Sequence, residues 1–108
     1  MNDQVIELAS IKLAEGVTEA QLVEASNAFQ HAFLETQDGF VRRDFVRKSD
    51  GTYMDIIQWE SRAHANAVFE KARISDAAGV YFGLMDFDPE TMDEGVEHCA
   101  LLASFSRS

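Results

Sequence analysis

Residues 39–61, GFVRRDFVRKSDGTYMDIIQWES, decide how this chain folds. Two runs rich in β-branched and aromatic residues, 40–47 and 52–59, flank Asp50-Gly51. An Asp-Gly pair between such runs is a strong signal for a β-hairpin turn. Ser61 directly follows the second run and is a good N-cap for the alanine-rich segment after it. The stretch therefore predicts a hairpin that leads straight into a helix.

The composition predicts one globular domain spanning residues 1–108. Apolar residues make up 46% of the chain, and 9 basic against 19 acidic residues give a net charge of −10. Such a charge disfavours nucleic acid and anionic membranes as partners, because both bind basic patches. With no signal peptide and no membrane-length apolar run, we expect a cytoplasmic protein. The single cysteine, Cys99, excludes an internal disulfide.

The rest of the chain completes an α+β pattern around the hairpin. Thr18 and Gln21 fit a capping box at the start of a helix over 18–36. The remaining predicted elements are a first strand over 5–13, helices over 61–73 and 76–85, a turn at 88–91 and a last strand over 97–105. The order β-α-β-β-α-α-β is typical of the ferredoxin-like split βαβ fold, a four-stranded antiparallel sheet with helices on one face.

The first and last strands are apolar on both faces, whereas helices would cover only one. An uncovered apolar sheet face predicts a partner, most simply a second copy of this chain. The residues therefore predict a homodimer.

The chain resembles the dimeric α/β-barrel superfamily, and within it proteins of the antibiotic-biosynthesis-monooxygenase type. The resemblance covers nearly the whole chain. It is carried by Gly39-Phe40, Asp50-Gly51, Asp55-Ile56-Ile57, Trp59-Glu60-Ser61, Tyr81-Phe82 and His98. It implies that two sheets pack face to face into a barrel, with a pocket between each sheet and its helices or within the barrel.

Members of that superfamily oxidise aromatic polyketides or quinols with O2 and no cofactor, degrade haem, cyclise polyketides, or have no known activity. The haem-degrading pattern has an Asn on the first strand, and a Trp and a His around the second helix. Here the first strand has no Asn, and the other two positions fall on Val68 and near Ala78. The polyketide-cyclase branch tends to carry a His early on the first strand, which is also absent. Both activities are therefore disfavoured.

Two polar residues lie in strands where apolar ones are expected. His98 could be a general base or a ligand donor, or a core histidine satisfied by hydrogen bonds. Asp55 shares a strand face with Tyr53, Ile57 and Trp59, and a buried aspartate needs a partner. Arg42 or Arg43 on the neighbouring strand could supply it. A two-residue turn would place Arg42 opposite Trp59, whereas a three-residue loop with a bulge would shift the register by one.

The basic residues within 42–48 allow two interpretations, solvated edge-strand charge or an anion contact in a pocket that includes Arg42. Aromatic residues could line that pocket and stack on a planar ligand, although each could equally be core packing. These residues are Tyr53, Trp59, Tyr81 and Phe82. The histidines lack metal-ligand spacing, and we expect His31 and His64 to be exposed.

We therefore expect a homodimer that binds a small aromatic or polyketide-like molecule and needs no cofactor or metal. If it is an enzyme, the resemblance implies a cofactor-independent monooxygenase, with His98 as the base and Asp55 as its orienter or a hydroxyl contact. The alternatives are a non-catalytic ligand-binding domain, and an interaction domain whose barrel is filled by side chains.

Overall fold

The computed structural model describes residues 3–86 and 95–107, which contain four strands and three α-helices. The elements in chain order are β1 (Val5–Ile11), α1 (Glu19–Ala32), β2 (Phe40–Arg47), β3 (Tyr53–Trp59), α2 (Arg62–Ala72), α3 (Asp76–Gly83) and β4 (Val96–Ala100). A short 3₁₀ turn, Leu34–Thr36, follows α1. No helix in the described ranges is long and apolar enough to cross a membrane.

The strands form one antiparallel sheet in the order β2-β3-β1-β4. This is the strand order of the split βαβ arrangement, so the predicted fold class is confirmed. β1 is a central strand, with β3 on one side and β4 on the other. Among the described strands, β4 pairs with β1 alone and lies at the edge of the sheet.

The hairpin has a three-residue loop, and that loop sets the register of β2. The N–H of Lys48 donates to the carbonyl of Thr52 at 2.7 Å, which leaves residues 49–51 as the loop. Gly51 takes a φ of +89°, a conformation that favours glycine. A bulge between Phe40 and Arg42 shifts the register by one residue, so that Phe40 lies opposite Trp59. Between the loop and the bulge Arg43 pairs with Ile57, so Arg43 lies on the helix-covered face and Arg42 on the opposite one.

The predicted helix starts are confirmed. Thr18 and Gln21 form a reciprocal capping box before α1, Ser61 accepts a hydrogen bond from the N–H of His64, and Ser75 caps α3 in the same way. These contacts satisfy backbone donors that a helix leaves without partners in its first turn.

Several predicted element ends were wrong. β1 ends at Ile11 instead of residue 13, and Leu13 forms an isolated bridge with Met85. α1 ends at Ala32, because Phe33 leaves helical geometry at φ −131°. β4 ends at Ala100, which pairs with Val5, the first residue of β1, and one backbone hydrogen bond follows, from the N–H of Leu101 to the carbonyl of Gln4 at 2.9 Å. The predicted turn at 88–91 lies outside the described residues.

The two faces of the sheet differ in burial. On the helix-covered face β3 contributes Tyr53, Asp55, Ile57 and Trp59, each less than 7% exposed. Alternate positions on β1 and β3 point the other way and are half-buried. They include Ile6, Leu8, Met54 and Ile56. The main core therefore lies between the sheet and its helices, and the other face keeps accessible apolar surface.

Gly39, just before β2, packs directly against His64. Its φ is +83°, and a Cβ built there would clash with Cγ of the His64 ring. The His64 ring is held in place by a 2.7 Å hydrogen bond with Ser61. The prediction that His64 is exposed was therefore wrong: it is half-buried because it covers the glycine that ends the α1–β2 connection. His31 is exposed, as predicted.

Replacing Gly39 with Ala is expected to lower the free energy of unfolding by about 2–5 kcal/mol. The left-handed backbone contributes about 1–2 kcal/mol of this loss, and displacement of the His64 ring about 1–3 kcal/mol. Urea unfolding monitored by circular dichroism measures the change. Gly16→Ala is the matched control, because Gly16 has a φ of +82° but nothing within 4 Å of its Cβ position. Equal losses in the two variants would contradict the contribution from His64.

Candidate functional site

A buried ion pair joins β2 to β3 beneath the helices. Nε of Arg43 donates to Oδ1 of Asp55 at 2.9 Å, and both side chains are 5% exposed. Tyr81 on α3 donates its hydroxyl to Oδ2 of Asp55 at 2.8 Å. Nη2 of Arg43 also donates to Oγ of Ser26 on α1 at 2.8 Å and to the Tyr81 hydroxyl at 3.0 Å. The pair therefore links the sheet to two helices.

Aromatic rings surround the Arg43 guanidinium. Its central carbon lies 5.4 Å from the ring centre of Phe29, 5.5 Å from that of Phe45 and 5.4 Å from that of Tyr81. Arginine is more weakly hydrated than lysine and stacks on aromatic faces, so it suits a buried site of this kind.

Burial dominates the ionisation of this cluster. It raises the pKa of Asp55, an effect that the charge and hydrogen bond of Arg43 and the Tyr81 hydroxyl oppose. Burial also raises the pKa of Tyr81, and the neighbouring Asp55 carboxylate raises it further. Both oxygens of Asp55 already accept hydrogen bonds from protein groups. The cluster therefore holds β3 and α3 together. The 5% of the Asp55 side chain that stays exposed borders the space beneath α2.

That space is a cleft of about 760 Å³ between α2 and the part of the sheet formed by β1, β3 and β4. Known small-molecule sites occupy about 300–1,000 Å³. The position of the cleft follows from the strand pairing. Trp59, at the end of β3, pairs with Val5, so α2 begins beside the N-terminal end of β1. Most of its wall is apolar or aromatic, including Ile11, Phe29, Ile57, Trp59, Val68, Phe69, Phe82 and Met85. The cleft is suited to a ligand with extended apolar surface.

Glu7 and His98 form a hydrogen-bonded pair in the wall of this cleft. They are opposite each other on β1 and β4, and Nε2 of His98 lies 3.0 Å from Oε1 of Glu7. Their side chains keep 19% and 16% of their surface exposed. Burial raises the pKa of Glu7, and its hydrogen bond with His98 opposes that rise. When Glu7 is ionised, Nε2 carries the proton it donates, which leaves a lone pair on Nδ1.

Charged and polar side chains lie at both ends of the cleft. Arg62 and Asn66 are at the start of α2, and the positive charge of Arg62 acts on Glu7. Arg73 lies at the far end of α2, where Lys12 and Asp86 form an exposed pair 3.8 Å apart. The cleft therefore has an apolar middle and polar ends.

Four of the predicted site residues, Asp55, His98, Trp59 and Phe82, line the cleft. The indole N–H of Trp59 is buried and lacks a hydrogen-bond partner among the described residues. Asp55 is hydrogen-bonded to Arg43 and Tyr81, and His98 to Glu7, so the carboxylate beside His98 is Glu7. The alternative role of Asp55, a contact with a substrate hydroxyl, stays a prediction.

Three other predicted pocket residues lie elsewhere. Tyr81 is fully buried behind Asp55. Tyr53 is buried at the other end of β3 and donates its hydroxyl to Glu19 at 2.9 Å. Arg42 is on the opposite sheet face, paired with Asp44 at 2.9 Å, since the three-residue hairpin loop selects Arg43 for the inner face. The predicted Asp–Arg pair exists, and Arg43 is its partner.

Glu7 is the residue that sequence reasoning missed. Within Val5–Ile11 its inward neighbours are Val5, Ala9 and Ile11, so a lone carboxylate on this face was as anomalous as Asp55 on β3. The same argument, that a buried carboxylate needs a partner, would have marked it. Glu7 and His98 are only two potential metal ligands, and the described residues contain no group of three His, Cys, Asp or Glu placed to hold a metal ion.

Comparisons with known proteins identify the fold. No protein-family model and no curated protein sequence matches the chain. Among solved structures, a proposed antibiotic biosynthesis monooxygenase from Bordetella bronchiseptica superposes with a TM-score of 0.72 at 17% identity, over 94% of this chain and 99% of that one.

Two further solved structures superpose over most of the chain. SnoaB, a cofactor-independent oxygenase from Streptomyces nogalater, gives a TM-score of 0.62 at 20% identity over 96% of each chain. A proposed antibiotic biosynthesis monooxygenase from Caulobacter crescentus gives 0.68 at 13% identity, over 94% of this chain and 92% of that one. This chain has the fold of the antibiotic-biosynthesis-monooxygenase-like proteins.

Proposed function

We propose that the cleft binds a small planar aromatic molecule and that the protein is a cofactor-independent monooxygenase of electron-rich phenols or enols. The observation that carries the proposal is the Glu7–His98 pair, a potential base with a carboxylate partner that borders a mostly apolar cleft. The shared fold with SnoaB, itself a cofactor-independent oxygenase, supports the reaction class.

His98 is the proposed base. With Nε2 engaged by ionised Glu7, Nδ1 is the basic nitrogen, and it forms no hydrogen bond with any described residue. Removal of a proton from the substrate leaves the imidazole positively charged, and the Glu7 carboxylate stabilises that charge. Glu7 is thus a positioning residue, and in this proposal His98 touches the substrate.

The resulting carbanion or phenolate is electron-rich enough to reduce O2 directly. In the simplest case, a ring CH2 becomes a carbonyl: one oxygen atom forms the new C=O bond, and the other leaves as water with the two hydrogens. The substrate supplies all the electrons, so the balance needs no further reductant. The contributions of the protein are the base, alignment of the planar ring against Trp59 and Phe82, and an apolar surrounding that excludes water.

Oxygen uptake with anthrone, a planar ketone that enolises readily, tests this function. We expect uptake well above the rate in buffer, persistence after dialysis against EDTA, and one atom of ¹⁸O in the product when ¹⁸O2 is supplied. A rate equal to that in buffer with anthrone and with other hydroxyaromatic probes would overturn the enzymatic proposal. Native mass spectrometry showing a bound aromatic molecule without uptake would favour the non-catalytic ligand-binding alternative.

We also propose that the protein is a homodimer, joined through the sheet face that the helices leave uncovered. Leu8 and Ile56 are directly opposite each other on adjacent strands of this face, and both are half-buried within one chain. A two-fold contact would bury the same apolar patch on both copies, which suits a self-complementary surface.

Ile56→Glu is expected to dissociate this dimer, because it places two charges in an apolar interface. Light scattering should give about twice 12.1 kDa for the wild-type protein and 12.1 kDa for the variant. Val23→Glu is the matched control, since Val23 is 41% exposed on α1. A wild-type protein that stays monomeric at 100 times the assay concentration would contradict the proposal.

A further inference from the structure

The described residues include six arginines, of which Arg107 lies in the exposed segment after β4. Three are paired with carboxylates, namely Arg42 with Asp44, Arg43 with Asp55 and Arg47 with Glu19. The two that line the cleft, Arg62 and Arg73, form no ion pair with any described carboxylate.

Arg62 lies at the end of the cleft that contains the proposed base. Its charge acts on Glu7, the partner of His98. Nε of Arg62 donates to Oδ1 of Asn66 at 3.2 Å, a contact that restrains the side chain along α2. Neither of its two terminal nitrogens donates to a described residue. Within the described ranges, the planar end of the guanidinium is therefore available to a ligand in the cleft.

Arg73 has a different environment. Its guanidinium carbon lies 5.8 Å from the ring centre of Phe69. Arg73 is eleven positions after Arg62, a rise of about 16 Å along a helix. One small aromatic ligand therefore cannot place the same group on both arginines while it contacts the Glu7–His98 pair.

We propose that Arg62 binds a carboxylate on the substrate, so that the substrate is an aromatic hydroxy acid. Two terminal guanidinium nitrogens match the two oxygens of a carboxylate in a bidentate contact. A carboxylate at Arg62 anchors one end of the molecule beside Glu7 and His98, and the ring then lies along the apolar middle of the cleft. This inference rests on the proposed function for the identity of the site as a substrate site.

Binding of two matched probes tests the inference. The acid is 1-hydroxy-2-naphthoate, and the neutral probe is 1-naphthol, which lacks the carboxylate. Titration calorimetry at pH 7.5 is expected to show that the wild-type protein binds the acid at least about tenfold tighter, as charged hydrogen bonds contribute more than neutral ones. The overall negative charge of the protein opposes this preference, so a preference requires a local cation.

Arg62→Gln is expected to remove the preference by weakening the acid about tenfold, while 1-naphthol changes less than twofold. Arg73→Gln is the matched control: it removes the same residue type from the same helix and cleft, and the preference should remain. Both arginines are exposed, and thermal melts should show that both variants fold. Equal affinities in the wild type, no binding of the acid, or a preference that survives Arg62→Gln would overturn the inference.

Oxygen uptake separates this inference from the proposed function. The protein could prefer the acid through Arg62 and yet consume no oxygen with 1-hydroxy-2-naphthoate, 1-naphthol or anthrone. That result would support the carboxylate site and overturn the monooxygenase function. Oxygen uptake that depends on His98, without a preference for the acid, would support the monooxygenase function and overturn the carboxylate site.

Discussion

Arg43→Gln is expected to destabilise the protein by about 3–5 kcal/mol at pH 7.5, the usual effect of removing one partner from a buried ion pair. The variant leaves the Asp55 carboxylate 5% exposed, with only the Tyr81 hydroxyl as a donor. It also removes the hydrogen bonds that Arg43 donates to Ser26 and Tyr81. The links from β2 to α1 and α3 are lost together.

The loss should depend on pH in a defined direction. Burial already places the pKa of folded Asp55 above its ordinary value, and Arg43 is the main opposing influence. Without Arg43 that pKa rises further. For a carboxyl group whose folded pKa exceeds the unfolded one, stability is greatest below the unfolded pKa and falls as pH rises through the folded pKa. The destabilisation should therefore be smaller at pH 4 than at pH 7.5 in urea unfolding.

Two further variants test whether the ionised Asp55 carboxylate causes this loss of stability. Arg42→Gln removes the neighbouring arginine from an exposed pair with Asp44 and should change stability by no more than about 1 kcal/mol. Asp55→Asn combined with Arg43→Gln removes both charges and should be less destabilising than the sum of the single changes. Additive losses, or a loss independent of pH, would show that the ionised Asp55 is not the cause.

His98→Gln is expected to lower kcat/KM for anthrone oxidation by about 10²- to 10⁴-fold, the usual contribution of a positioned general base. Glutamine keeps a polar side chain within reach of Glu7 but cannot accept a proton at neutral pH. Oxygen uptake at a series of substrate concentrations separates kcat from KM. The fall should be mainly in kcat, because the apolar wall that binds the ring is unchanged. His31→Gln, a change at an exposed histidine, should leave the activity unaltered.

Glu7→Gln tests the positioning role of the carboxylate. We expect a smaller loss in kcat, of about 10- to 100-fold, a range typical for partners that orient a functional histidine. Residues that act as one unit are not additive, so the double variant Glu7→Gln, His98→Gln should be no slower than His98→Gln alone. Independent losses that multiply would contradict the paired mechanism.

The fold was predictable because local signals agreed with one another. The Asp50-Gly51 turn, the caps at Thr18, Ser61 and Ser75, and the alternating strands pointed to one strand order, which the sheet has. Element ends failed where they depend on a partner far along the chain. The end of β4 is set by where β1 begins, and neither segment contains that information by itself.

Residue chemistry was only partly predictable. Asp55 was identified as a residue that needs a cation, but the choice between Arg42 and Arg43 depended on the hairpin loop length. The partner of His98 required the pairing of β1 with β4, residues separated by most of the chain. Composition could not indicate that Tyr81 lies behind the carboxylate and outside the cleft, because that depends on how α3 packs.

The position of Arg43 relative to the hairpin loop has a consequence for genetic change. Deleting a single codon from the segment 49–51 keeps the reading frame and leaves Lys48 opposite Thr52 across a two-residue loop, so the pairing of β2 with β3 is unchanged. Deleting a single codon from the segment 44–47 also keeps the reading frame, but it moves the part of β2 before the deletion by one position relative to β3. Successive side chains of a strand alternate between faces, so Arg43 would turn outward, away from Asp55. In-frame deletions should therefore be far better tolerated in the loop than in the strand that precedes it.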